Sequence, residues 1–119
     1  MLKYTEDHEW LKAEGDELIV GITAHASEQL GDVVFVELPE PGREVARGEE
    51  IVVIESVKAA SDIAAPVGGI IMAVNDELAD NPGAVNDDPM GAWFFRIKPA
   101  EGEDLDGFMD EAAYQALIG

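Results

Sequence analysis

Short apolar runs alternate along the chain with segments rich in proline and glycine. The runs contain many β-branched and aromatic side chains, a composition typical of β-strands. Proline and glycine between the runs favour tight turns, because each presets or permits the backbone angles that a turn needs. The spacing predicts a small β-sandwich or barrel whose strands include residues 18–20, 33–36, 51–54, 70–72 and 93–95.

Two segments have a helical pattern instead. Residues 24–30 follow Thr23, a good N-cap residue, and precede Gly31, which is typical of the residue after a helix. The pattern of residues 103–118 predicts a second helix with an acidic face. Glycine at position 107 disfavours the helical conformation and favours a break in the helix there. We expect this helix to pack on the protein's own sheet. Its apolar face would consist of Leu105, Phe108, Met109, Ala112, Ala113, Ala116 and Leu117.

Composition narrows the class of protein. A length of 119 residues predicts one domain, residues 1–119, and a hydrophobic fraction of 47% is too high for a disordered acidic tail. Seven Lys and Arg against 26 Asp and Glu give a net charge of −19, which repels nucleic acid and anionic membranes, so we expect neither as a partner. The lack of cysteine and of a long apolar run predicts a cytoplasmic protein, and we expect a monomer.

Catalytic residue types are scarce. His8 and His25 are the only histidines, and His8 lacks the second histidine four residues later that a helical zinc site would supply. No Gly-x-Ser-x-Gly segment marks a nucleophilic serine. A small hydrolase or metal enzyme that uses His8, Glu9 and His25 stays open as an alternative.

Lys58 is the unusual feature of the chain. It is the only cationic residue between positions 48 and 91, and strand-like residues precede and follow it. This pattern predicts a hairpin with Lys58 near its tip, flanked by Glu55 and Asp62. An amine displayed on a rigid turn suits covalent modification by another enzyme, because little ordering is needed to present it. The alternative is an ordinary solvated lysine.

The segment around Lys58 resembles a known family. The sequence Glu-Ser-Val-Lys-Ala at residues 55–59 is similar to the lipoylation loop of glycine cleavage system H proteins. Further similarities follow the family's order over essentially the whole chain. They lie at residues 8–10, 20–23, 30–39, 61–62, 65–67, 85–86 and 93.

The resemblance implies an all-β barrel-sandwich hybrid of the lipoyl/biotinyl type, with a short helix and a C-terminal helical segment. It also implies a non-catalytic carrier with lipoate joined to Lys58 by an amide. Its partners would be the lipoylating enzyme, glycine decarboxylase (P protein), aminomethyltransferase (T protein) and dihydrolipoamide dehydrogenase (L protein). A free-standing carrier that donates lipoyl groups to other lipoyl domains is the alternative.

Further site residues come from the same resemblance. It places Glu9 and Asp62, with Asp7 as a third candidate, around the amine of the loaded arm. It makes Glu55 and Gly69 determinants for the lipoylating enzyme. We expect replacement of Glu9 or Asp62 to leave folding nearly intact, on the premise that both lie at the surface. The segment at residues 91–93 is one residue shorter than in the family, so we expect the geometry of this loop to differ from the family's.

Overall fold

Nine strands and four short helices make up the computed structural model, which describes residues 2–102 and 107–118. All strand pairings are antiparallel. The elements are β1 (Leu2–Tyr4), β2 (Glu9–Glu14), β3 (Glu17–Ile22), α1 (Ala24–Leu30), β4 (Val33–Glu37), β5 (Glu44–Val45), β6 (Glu50–Ser56), β7 (Ala60–Ala64), β8 (Gly69–Val74), α2 (Glu77–Asp80), α3 (Ala84–Asp87), β9 (Phe95–Pro99) and α4 (Glu111–Ile118).

The strands form two sheets that enclose one main apolar core. A six-stranded sheet has the order β1-β2-β3-β9-β8-β5, and a three-stranded sheet has the order β4-β6-β7. Both sheets contribute fully buried residues, including Val20, Val52, Ile71 and Phe95, so burial of β-branched and aromatic side chains holds the layers together. This arrangement confirms the predicted all-β barrel-sandwich hybrid.

Helix α1 begins and ends where its sequence predicts. The Thr23 hydroxyl accepts a hydrogen bond from the Ala26 backbone N–H at 3.3 Å, which satisfies one free donor of the first turn. The Gly31 N–H donates to the Ser27 carbonyl at 3.2 Å, and Gly31 adopts a φ of 77° that ends the helix. The predicted helix at residues 24–30 is therefore confirmed.

The second predicted helix is wrong in its start, and of its predicted apolar face Phe108 and Met109 are partly buried against the core while its alanines and Leu117 are exposed. Helix α4 begins at Glu111. The preceding Met109 pairs with Tyr4 through two backbone N–H···O bonds of 2.8 and 2.9 Å, which keeps it out of the helix. The Asp110 carboxylate accepts a hydrogen bond from the Ala113 N–H in the first turn. Residues 103–106, including Leu105, lie outside the described residues. Helix α4 buries Tyr114, because burying an aromatic ring removes much more apolar surface from water than burying alanine side chains does. Its exposed residues include Ala112, Ala113, Ala116 and Leu117.

One predicted strand is also displaced. Of the apolar run at residues 93–95, only Phe95 lies in β9. Phe94 precedes the strand, and its N–H donates to the Val20 carbonyl at 2.8 Å.

Among the described residues, no helix is long and apolar enough to cross a membrane.

Candidate functional site

The hairpin of β6 and β7 presents Lys58 in a three-residue turn at residues 57–59. The Ser56 hydroxyl organises this turn: it accepts from the backbone N–H groups of Lys58 and Ala59 at 3.2 and 3.1 Å, and it donates to the Ala59 carbonyl at 3.0 Å. Such local side-chain hydrogen bonds favour tight turns, because they satisfy backbone groups that lie beyond the last hydrogen bonds between the two strands. Lys58 is exposed at the tip.

The turn is also fastened to the segment that follows α1. The Val57 N–H donates to the Asp32 carbonyl at 3.0 Å. The side chain of Lys58 lies across Gly31: a Cβ built there would be 3.0 Å from Lys58 Cε and 3.4 Å from Cδ. The absence of a side chain at Gly31 thus leaves room for the lysine stem at the end of α1.

Asn86 holds this segment in place. Its side-chain amide donates to the Gly31 carbonyl at 2.7 Å, and its side-chain oxygen accepts from the Val33 N–H at 2.8 Å. The sequence placed Asn86 in a family-like segment without giving it a role. The hydrogen bond from Asn86 to Gly31 joins residues 55 positions apart, so it could not be deduced from the sequence.

A cleft of about 310 Å³ lies beside the hairpin, between α1, β7 and the segment before β2. It brings together the three predicted arm-pocket residues Asp7, Glu9 and Asp62. Apolar and polar side chains share the wall about equally, so the cleft offers both apolar contact and hydrogen-bonding groups to a ligand. Its lining also includes His8, Ile22, Ala26, Gln29, Leu30, Ile54, Ala60, Ser61 and Ile63.

The two predicted recognition residues lie outside this cleft. Glu55 is exposed on β6 and pairs with Ala60 across the hairpin. Gly69 is the first residue of β8, in the other sheet, where a Cβ would collide with the backbone carbonyl oxygen of Lys98. Close approach of two backbones therefore gives Gly69 a structural reason to be glycine.

Glu9 differs from the expectation of a surface carboxylate, because only 4% of it is exposed. Burial raises the pKa of Glu9 to about 7; the hydrogen bond from the Thr5 hydroxyl at 3.1 Å opposes this shift, and the nearby Asp7 adds to it. Asp62 is exposed, as expected, and its hydrogen bond and charge raise the pKa of Glu50. The cleft thus contains one carboxyl group that titrates near neutral pH.

The buried Glu9 makes stability depend on pH. Its pKa is higher in the folded protein, about 7, than its ordinary value of 4.5, so the folded state binds a proton more tightly. Its contribution is fully present below pH 4.5 and is lost as the pH rises through 7. At about 1.4 kcal/mol per pKa unit, the free energy of unfolding should fall by about 3 kcal/mol over that range.

Urea unfolding between pH 4.5 and 8 checks this prediction by comparing the parent with Glu9→Gln. Glutamine cannot ionise, so the variant should lose less stability as the pH rises, and its advantage over the parent should be largest at pH 8. Glu6→Gln is the matched control, because Glu6 lies in the same segment but is exposed. Parallel stability curves for the parent and Glu9→Gln would contradict the assigned pKa.

His8, which lines the cleft, contacts the ring of His25. Their ring centroids are 4.7 Å apart, and burial, followed by the neighbouring His25, lowers the pKa of His8 while Asp7 opposes the shift. His8 Nδ1 is 2.9 Å from the Tyr114 hydroxyl, and His25 Nε2 is 3.0 Å from the Gln29 amide nitrogen. Over residues 2–102 and 107–118, no three His, Asp or Glu side chains are placed to hold a metal ion.

Tyr114 ties α4 to this region. Its hydroxyl is 2.7 Å from Thr23 Oγ1, the capping group of α1, and its ring stacks on Tyr4 with centroids 4.7 Å apart. His8, which bonds to the same hydroxyl, has a φ of 67°, an uncommon conformation for a residue with a side chain. The predictions from sequence missed Tyr114, since its partners lie near the other end of the chain.

Comparison with known proteins gives one consistent result. The family model described as glycine cleavage H-protein matches residues 2–119. A glycine cleavage system H protein from Chromobacterium violaceum is 56% identical over 99% of this chain and 94% of its own length. Glycine cleavage system H protein 2 from Pseudomonas putida is 55% identical over the same shares.

A solved structure agrees with the sequence relatives. The crystal structure of a glycine cleavage system H protein from Mycobacterium marinum matches with a TM-score of 0.89 and 38% identity, over 99% of this chain and 96% of that chain. The similarity thus extends over nearly the whole of both chains. The chain belongs to the glycine cleavage H-protein family.

Proposed function

We propose that this chain is the lipoyl carrier of the glycine cleavage system, with lipoate attached to Lys58. It would take the aminomethyl group from glycine decarboxylase to aminomethyltransferase and then present the dihydrolipoyl group to dihydrolipoamide dehydrogenase. The observation that carries this proposal is the exposed Lys58 on a fastened turn, with its stem lying across Gly31 at the end of α1, in a hairpin that borders an acidic cleft. The chain itself would be non-catalytic in this role and would act in the cytoplasm.

The residues present fit a lipoyl group. Lipoate supplies a disulfide that can be opened to accept a one-carbon unit; the hard chemistry belongs to the group and the partner enzymes. The Ser56 hydroxyl and the Asp32 carbonyl fix the turn that presents Lys58, so the attachment point is held in place while the side chain stays exposed. Tethering keeps the carried group near the protein as it visits successive sites.

The cleft has the chemistry to shelter a cationic amine. Apolar side chains form part of its wall, and Asp7, Glu9 and Asp62 provide acceptors. A cation beside Glu9 favours the ionised carboxylate and so lowers its pKa from about 7. Glu9 would therefore be neutral much of the time in an empty cleft and charged in an occupied one, which makes its burial tolerable in both states.

The lifetime of the loaded arm tests the role of the cleft. In Glu9→Gln and in Asp62→Asn, we expect the aminomethyl group to be lost about tenfold faster than in the parent. A hydrogen bond to a charged group contributes about 1.5 kcal/mol or more, which corresponds to a tenfold change. Release of formaldehyde and ammonia from the loaded, purified protein measures this loss. Glu6→Gln is the control and should behave as the parent; parental lifetimes in both cleft variants would refute the assignment of the cleft.

A further inference from the structure

Two neighbouring residues of β4 are exposed although both are large and apolar. Val34 and Phe35 have 55% and 44% of their surface accessible, while Val33 and Val36 on either side are buried. A regular strand would alternate. The pairing of β4 with β6 shifts between Val33 and Phe35, and the bulge there turns two consecutive side chains outward.

The exposed pair lies directly beside the lysine hairpin. Phe35 is paired with Glu55, and Val33 is paired with Ser56, the residue that organises the turn. Val57, within the turn, is also exposed and bonds through its N–H to the Asp32 carbonyl. Val34, Phe35 and Val57, called the hairpin patch below, thus stand beside Lys58.

Acidic side chains border the hairpin patch. Asp32 precedes β4, Glu37 ends it, and Glu55 lies on the neighbouring strand; all three are exposed. An apolar centre with a charged border is the usual anatomy of a protein interface. A partner with lysine or arginine around an apolar surface would complement it, and its approach would be accelerated by attraction to a chain of net charge −19.

The reach of lysine indicates which partner this is. An enzyme that acts on the unmodified amine must bring its active site to within the length of the lysine side chain, about 6 Å, of the hairpin backbone. It therefore has to touch the turn and the adjacent part of β4. An enzyme that acts on the far end of a lipoylated arm reaches its target at a greater distance and has no such requirement.

We propose that the hairpin patch is the docking surface for the lipoylating enzyme, an inference that rests on the proposed modification of Lys58. The enzyme would present an apolar surface bordered by basic residues beside its active site. There the neutral Lys58 Nζ attacks the carbonyl carbon of lipoyl adenylate. The amide C–N bond forms, the bond from that carbon to the phosphate oxygen breaks, AMP leaves with the electron pair, and the amine gives up a proton to a base.

The test compares two double variants of the full-length chain. Val34→Ser/Phe35→Ser removes most of the hairpin patch. Ile70→Ser/Met72→Ser is the matched control, because Ile70 and Met72 are similarly exposed, at 42% and 45%, but lie on β8 in the other sheet. Each protein is incubated with a purified lipoate–protein ligase, lipoate and ATP, and lipoylation is followed by intact mass.

We expect kcat/KM for lipoylation to fall at least about tenfold in the β4 variant, chiefly through a higher KM, because apolar contacts buried on docking are lost. The control should match the parent. Once lipoylated by prolonged incubation, the β4 variant should be turned over by dihydrolipoamide dehydrogenase at the parental rate. Thermal unfolding verifies folding, and Val57→Ser, a change within the turn, should also slow lipoylation if the β4 variant is unstable.

The outcomes separate the two proposals. A parent chain that gains no lipoyl group overturns the proposed function itself. A parent that is lipoylated on Lys58 at the same rate as the folded β4 variant overturns the docking surface alone. Equal slowing of the β4 variant and the β8 control also overturns it, since the effect would not depend on proximity to Lys58.

Discussion

Replacing Lys58 with arginine should abolish covalent lipoyl attachment and, with it, all activity of the chain in glycine cleavage. The guanidinium stays protonated and has no available lone pair for acylation, whereas a lysine amine can deprotonate and attack. Positive charge and exposure are both kept at the tip of the hairpin, so the fold should not change. Intact mass of the natively expressed chain, with peptide mapping, measures the modification.

Lys98→Arg is the matched control for this prediction. Lys98 is also exposed and lies on a strand, where its amine is 3.6 Å from a carboxylate oxygen of Asp16. We expect that variant to gain one lipoyl group on Lys58 and to support reconstituted glycine cleavage as the parent does. A lipoyl group on Lys58→Arg, or an active parent with an unmodified Lys58, would exclude Lys58 as the attachment site.

Truncating Tyr114 should destabilise the protein more than any other change in α4. The ring is almost fully buried and stacks on Tyr4, and the hydroxyl bonds to His8 and Thr23. Removal of a buried aromatic ring costs about 3–5 kcal/mol, a large part of the total stability of a small domain. Urea unfolding of Tyr114→Ala should show a loss of this size.

Two further variants separate the contributions of Tyr114. Tyr114→Phe keeps the ring and removes only the hydroxyl, so the loss should be about 1–3 kcal/mol, because His8 and Thr23 each lose a partner. Leu117→Ala, at an exposed position in the same helix, should change stability by less than about 0.5 kcal/mol. Equal losses in Tyr114→Ala and Leu117→Ala would show that α4 is not held by the tyrosine.

Elements whose ends are set by local chemistry were predictable from the chain. Thr23 and Gly31 bound α1 through contacts within a few residues, and the hairpin around Lys58 follows from apolar runs that flank small and polar residues. Strands β1 and β2 were not predicted, because they mix apolar with charged residues. The start of α4 was mispredicted because it depends on the pairing of Met109 with Tyr4, over a hundred residues away.

The candidate site likewise has features that local sequence predicts and features that depend on long-range packing. The exposure of Lys58 follows from its turn, which is local. The burial of Glu9 does not, since a carboxylate is usually at the surface, and only the packing of the cleft with Thr5 as a partner makes it an exception. The close backbone contact of Gly69 with Lys98 was likewise invisible in sequence, and a role of Gly69 in recognition stays a prediction.

The bulge in β4 has a consequence for self-association. Strand β4 is an edge of the three-stranded sheet, and an edge strand with exposed apolar residues can pair with another chain and begin aggregation. At Val34 the ladder is interrupted, and on the same strand Asn86 already occupies the Val33 N–H. A second copy therefore meets a strand with an irregular pleat and one N–H already occupied, which hinders extension of the sheet, so the protein can expose an apolar surface and still resist polymerising through this edge.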